Sequence, residues 1–188
     1  VNMETPDSLV YREFAALLTS KSGYEYGSGG QLLGYNSNGS ERDWMYGEQT
    51  LKGKTYGYTI EIGDDFWPYQ SQIFPIAQQN LSTMIYQTYL AGAYVQMIDP
   101  GYSEPFIDPG DNITMHSVFK NIGLATAHNL DLQLTSLSPY ITITSATAQF
   151  DSIAARSTAT LTNPLAFSVF PSAPIDVIAK LLLTSSFS

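Results

Sequence analysis

An α/β layer followed by an all-β antiparallel sandwich is the fold this 188-residue sequence predicts. Apolar residues recur at helical spacing in two stretches of the front half, with a β-branched and aromatic stretch between them. Beyond about residue 97 only short alternating runs separated by turn signals remain. A hydrophobic content of 44% is enough to bury one or two cores, and a charged content of only 13% beside 13 Tyr and 14 Gly suits strands and turns better than long solvated helices.

Asp7 or Ser8 can cap a first helix, since Leu9, Val10, Phe14, Leu17 and Leu18 share a helical face until Ser22-Gly23 stops the pattern, giving a helix over about 8–21 with its inner face in a core. Residues 24–30 are too glycine-rich for regular structure, and Asn36-Ser37-Asn38-Gly39-Ser40 reads as a turn, so flexible backbone surrounds Tyr35. Lys54 to Ile62 alternates aromatic and polar residues and holds Thr59, Ile60 and Ile62, which predicts a strand with Glu61 near its end. From about Ile73 to Leu90, Ile76, Leu81, Met84, Ile85 and Tyr89 fall roughly on one stripe, a helix that would close the α/β layer.

Composition shifts at Asp99-Pro100-Gly101 and again at Asp108-Pro109-Gly110-Asp111. Strand-like runs follow at 113–119, 130–134, 141–143, 159–161, 166–170 and 175–183, with turn signals at Asn121-Ile122-Gly123 and Ser138-Pro139 and no helical pattern. The expected organisation is therefore a front domain over 1–97 and a β-sandwich over 98–188. The start lacks the basic and apolar regions of a signal peptide and the end reads as a strand without a following partner, so both ends look cut.

A net charge of −9 with only eight Lys and Arg, scattered, argues against a nucleic-acid partner and against anionic membranes. No run approaches the roughly 20 apolar residues that span a bilayer. Without cysteine there is no thiol nucleophile, no thiolate metal site and no disulfide framework.

Among candidate chemical residues, Glu61 stands in an apolar, β-branched setting where a carboxylate is costly unless paired, metal-linked or exposed in a cleft. A strand-end Glu facing solvent is the commoner origin of such a pattern. His116 and His128 have no ligand-spaced acidic partner, and Asp99, Asp108 and Asp111 could seat Ca²⁺ but more often simply form turns.

Tyr35 in a Gly/Ser/Asn turn, Arg42-Asp43-Trp44 eight residues on, then Thr59-Ile60-Glu61, Phe66 and Pro68 together resemble the M14 zinc carboxypeptidases over roughly residues 8–92. The Tyr35 to Asp43 spacing fits that family without a gap, while Asp43 to Glu61 is some four residues longer, an insertion at 48–53. The resemblance implies Glu61 as the general base that activates a zinc-bound water and then protonates the departing amine. It implies Tyr35 as the mobile tyrosine closing over the substrate, with Ser37 and Thr59 lining the specificity pocket and Arg42 at its floor, where a guanidinium complements an acidic C-terminal side chain. Asp43 is then a residue that bonds loop amides and Trp44 one that packs beneath the pocket.

Zn²⁺ is the implied cofactor, yet the family's His-x-x-Glu pair, distant His and Asn-Arg carboxylate anchor do not occur in this sequence, so the zinc ligands are expected upstream, in a missing N-terminal part of the catalytic domain. The rear half, with Pro109-Gly110-Asp111-Asn112-Ile113-Thr114, resembles immunoglobulin-like accessory domains of secreted bacterial hydrolases. Together these imply a secreted zinc metallocarboxypeptidase acting on peptide or protein C-termini. Two alternatives stay open: an inactive binding module using Tyr24, Tyr26, Tyr46, Tyr56 and Trp67, and an extracellular adhesion fragment.

Overall fold

The computed structural model describes residues 5–35, 37 and 39–187. Its contacts divide the chain into two compact units, Val1–Thr88 and Tyr89–Ser188. Asn36 and Asn38 of the expected turn lie outside the described residues.

In the first unit, α1 (Ser8–Thr19) follows the expected pattern: Phe14, Ala15 and Leu18 are buried, and the Gly23 amide donates back to the Thr19 carbonyl at 2.9 Å. The stripe is incomplete at its start, where Leu9 is exposed. A short helix, α2 (Gly29–Leu32), replaces part of the expected loop. Its cause is a capping box: the Ser28 amide donates to Gln31 Oε1 at 2.9 Å and the Gln31 amide to Ser28 Oγ at 3.3 Å. Next, α3 (Glu41–Gly47) begins where the Ser40 amide donates to the Asp43 carboxylate at 3.0 Å, with Glu41 and Asp43 in the first turn, where the helix dipole favours negative charge.

Two expectations for this unit are corrected. Residues 54–62 carry no regular secondary structure and join no sheet among the described residues, because β-propensity alone does not make a strand, which exists only through a neighbour's hydrogen bonds. Helix α4 (Gln70–Ala91) spans the expected 73–90, but of its expected inner stripe only Ile76 is half-buried, beside Gly63, while Leu81, Met84, Ile85 and Tyr89 are exposed. The face that packs carries Asn80 and Thr83 instead. Thr83 Oγ1 donates to the Leu18 carbonyl at 2.7 Å, and Gln79 Nε2 donates to the Ser22 carbonyl at 2.9 Å, so polar groups tie α4 to the end of α1. An α/β layer is therefore not closed within these residues.

Among the described residues, the nine strands all lie in the second unit, in three antiparallel sheets. The first has order β1 (Val95–Asp99), β3 (Val118–Asn121), β7 (Thr158–Thr160); the second β2 (Asn112–Met115), β8 (Leu165–Val169), β5 (Ile141–Ser145); the third β6 (Thr147–Ile153), β4 (Ala127–Ser136), β9 (Leu181–Ser186). Period-two alternation turns Leu130, Leu132 and Leu134 of β4 inward, where they join Ile113, Phe119, Leu165 and Phe167 in one apolar core. The expected run 113–119 divides into β2 and β3 at His116-Ser117, and of the expected run 175–183 only its last residues are strand, Ile175 and Ile178 being 80% and 86% exposed. Gly101 has a φ of +60° and leaves no room for a side chain, since a Cβ there would lie 2.3 Å from the His116 carbonyl oxygen.

Candidate functional site

Each sequence-derived site residue belongs to the first unit. Glu61 and Thr59 are exposed on the unpaired 54–62 segment, Ser37 is exposed, and Tyr35 is 62% exposed. Among the described residues, no hydrogen bond or ion pair joins Glu61, Tyr35, Ser37, Thr59 and Arg42 to one another.

One approach does connect the two halves of the pattern. A Cβ at Gly57 would meet Met45 Sδ at 3.1 Å and Arg42 Cα and Cγ at 3.5 Å, so the segment leading to Thr59 and Glu61 runs against the face of α3 that carries Arg42. Arg42 is partly buried there, and its Nε is buried with no hydrogen-bond partner among the described residues. Neither acidic neighbour neutralises it: the described residues contain no ion pair of Arg42 with Glu41 or Asp43, and the Asp43 carboxylate is turned to the Ser40 amide. Asp43 thus bonds a loop amide as expected. Trp44 does not pack beneath a pocket; it is 57% exposed, with the Lys52 ammonium 5.2 Å from its ring centroid. Helix α3 turns Arg42 and Met45 toward Gly57 and leaves Asp43 and Trp44 exposed.

The feature that sequence reasoning missed is an aromatic cluster. Tyr11 of α1 lies 5.6, 5.1 and 5.3 Å, centroid to centroid, from Tyr46, Tyr56 and Tyr58, and Phe14 lies 5.6 Å from Tyr56. The Tyr58 hydroxyl donates to the Tyr11 carbonyl at 3.0 Å. At the rim, Asp7 pairs with Lys54 at 2.5 Å and accepts from the Tyr46 hydroxyl at 2.9 Å. Alternation of Tyr56 and Tyr58 was the available signal, since both rings meet Tyr11. The cluster fixes the segment against α1. Tyr46 and Tyr56 are thereby occupied in packing, while the Tyr24 hydroxyl accepts from the Gly63 amide and from Asn80 Nδ2, both at 3.2 Å, and Trp67 is 93% exposed. These aromatics do not form one continuous platform.

Hydrogen bonds from Lys54 first and Tyr46 second hold the Asp7 carboxyl below its usual range, and the same Asp7 contact raises the Lys54 ammonium. Burial raises Tyr11 and Tyr56. The signs give a stability window. The Asp7 contribution is lost as pH falls through its lowered value; those of Lys54, Tyr11 and Tyr56 are lost as pH rises through their raised ones. In an alkaline spectrophotometric titration of the 13 tyrosines, a late-ionising fraction is expected above the ordinary value of about 10, and Tyr11→Phe should shrink it. Ionisation of all tyrosines in one unshifted step would contradict the packed cluster.

His116 and His128 are exposed in the second unit, and no group of three His, Cys, Asp or Glu side chains among the described residues is arranged to hold a metal ion. Asp99 and Asp111 serve turns: Asp99 Oδ1 accepts from the Gly101 amide at 2.9 Å and Asp111 Oδ2 from the Asp108 amide at 2.7 Å. No protein-family model and no curated protein sequence matches the chain.

Proposed function

We propose that this chain is the rear part of a secreted zinc metallocarboxypeptidase that removes single acidic residues from peptide C-termini, followed by an immunoglobulin-like accessory sandwich over 98–188. The observation that carries the reading is Arg42. Among the described residues the Arg42 guanidinium has no carboxylate partner and its Nε is buried and unbonded beside the segment that ends in Glu61, a cost that a ligand carboxylate on the terminal guanidinium nitrogens would offset in part. In this reading Arg42 binds the substrate's terminal Glu or Asp side chain, with Ser37 and Thr59 lining the pocket. Tyr35, in an exposed loop able to move, closes over the substrate, and Glu61 takes a proton from the attacking water and returns it to the departing amine nitrogen. The described residues do not fit zinc by themselves, so the metal's ligands belong to an upstream part of the same catalytic domain.

The test is zinc content and peptide hydrolysis by the protein extended upstream. Stoichiometric zinc and faster release of C-terminal Glu than of Phe or Lys are expected, with Arg42→Leu reversing the preference by roughly 10- to 100-fold, the scale of a lost charge-assisted contact of ~1.5–3 kcal/mol. A folded, zinc-loaded protein that hydrolyses none of the three would reassign the chain to an inactive binding module.

A further inference from the structure

We infer that the second unit carries a carbohydrate-binding groove across its third sheet, with neutral oligosaccharides as the ligand class. The inference concerns the unit Tyr89–Ser188 alone and stands whether or not Glu61 is catalytic.

Register builds the groove. Period-two alternation sends Leu130, Leu132 and Leu134 of β4 into the core and so turns Asp131 and Gln133 outward. Antiparallel pairing sets Gln149 of β6 and Ser186 of β9 on either side of Asp131, and Thr147 and Thr184 on either side of Gln133, all of them exposed. Two polar rows therefore cross three strands. They line a hollow of about 930 Å³, to which Thr162 and Asn163 of the β7–β8 connection also contribute. The hollow takes consecutive residues from each strand, 131–133, 147–151 and 184–186, so it runs across the sheet rather than along one edge, and its size suits a small-molecule or oligomeric ligand.

The lining selects the ligand by its chemistry. Among the described residues no Lys, Arg or His lines the hollow, so it offers no cation to phosphate, sulfate or carboxylate, and Asp131 and Asp151 repel such groups. Phe150 is packed against Phe119, 5.6 Å between centroids, and Leu132 belongs to the core, which leaves no apolar pocket for a lipid chain. No three ligating side chains among the described residues converge on a metal ion. An extended peptide would gain most by adding to a sheet edge, a mode that a groove across the strands does not offer. What the hollow does present is carboxylate, carboxamide and hydroxyl groups. Among the described residues the side chains of Asp131, Gln149 and Asp151 enter no hydrogen bond or ion pair, so their bonding capacity is open to a ligand. A solvated sheet face gains from opposite charges set across from each other, whereas Asp131 faces Gln149 and Ser186. A sugar hydroxyl both donates and accepts, so a carboxylate beside a carboxamide can bond two adjacent hydroxyls, the carboxylate through charge-assisted bonds.

The test is amide NMR of the 188-residue chain titrated to about 10 mM with neutral hexasaccharides of glucose, mannose, galactose, xylose and N-acetylglucosamine, with a galacturonic acid hexasaccharide as the anionic counterpart. At least one neutral sugar should shift the amides of 131–133, 147–151 and 184–186 with a Kd of about 1 mM or lower. Asp131→Ala and Gln149→Ala should each weaken that sugar by about 10-fold, the scale of one lost hydrogen bond, while Thr158→Ala on the first sheet should leave it unchanged. Both groove positions are exposed, and a dispersed amide spectrum confirms that each variant is folded. No shift with any neutral sugar, shifts confined to other segments, tighter binding of the anionic sugar, or unchanged affinity in both folded variants overturns the inference. Shifts in these segments with a tryptic digest of an unfolded protein, and with no sugar, assign the groove to polypeptide and also overturn it.

Discussion

In the upstream-extended protein, Glu61→Gln is expected to lower kcat by about 10²- to 10⁴-fold, the usual worth of a positioned general base, while KM changes little. The substitution keeps the side chain's shape and removes only its ability to carry the proton from water to the leaving amine. Because Glu61 is exposed and takes part in no ion pair among the described residues, the change should leave folding and zinc content intact. Those two readouts separate the roles. Loss of metal or of folded protein would make Glu61 a structural residue, and an unchanged kcat with both intact would remove it from the chemistry and with it the central element of the proposed mechanism.

What the sequence made legible was local. Helix α1 could be read because Phe14, Ala15 and Leu18 bury the face that periodicity indicates and Gly23 marks where the chain leaves the helix. In α4 periodicity found the helix but placed only Ile76 of its five stripe residues on the packed side: it shows which side is apolar, whereas Asn80 and Thr83 won the inward positions through hydrogen bonds, the Thr83 hydroxyl to the end of α1 among them. β1 was hidden because Asp99-Pro100-Gly101 reads as a boundary, although Val95–Asp99 pairs with β3. β6 was hidden because only Ala148, Phe150 and Ile153 of Thr147–Ile153 turn inward, and Asp151-Ser152 interrupts the alternation. For the site, residue types and spacing named Glu61, Tyr35 and Arg42. That Asp43 is committed to the Ser40 amide, and that Arg42 has no ion pair among the described residues, is structural information that no spacing contains.

Asn121 should be the most sensitive polar position of the second unit. Its side chain is fully buried and uses its whole bonding capacity: Oδ1 accepts from the Tyr94 and Gly123 amides, both at 3.1 Å, and Nδ2 donates to the carbonyls of Ala125 at 2.8 Å and Ile153 at 3.0 Å. One side chain thereby joins the start of β1, the turn after β3 and the end of β6. Asn121→Ala leaves two amides and two carbonyls unpaired in a site closed to water, and at about 1–3 kcal/mol for each such group, added incompletely, the cost should reach ~3–5 kcal/mol. Asn121→Asp separates hydrogen bonding from size. It retains the acceptor but directs a carboxylate oxygen at two carbonyl oxygens, so burial and repulsion raise the new carboxyl's pKa in the fold. Its deficit should be smallest below the unfolded value of about 4, where the neutral acid can donate to one carbonyl, and should grow as pH rises until the raised folded value is passed. Opening free energies from hydrogen exchange of the β3 and β4 amides, measured across that range, read this directly. A pH-independent deficit equal to that of Asn121→Ala would mean that the cavity, not the four-bond knot, sets the stability of this position.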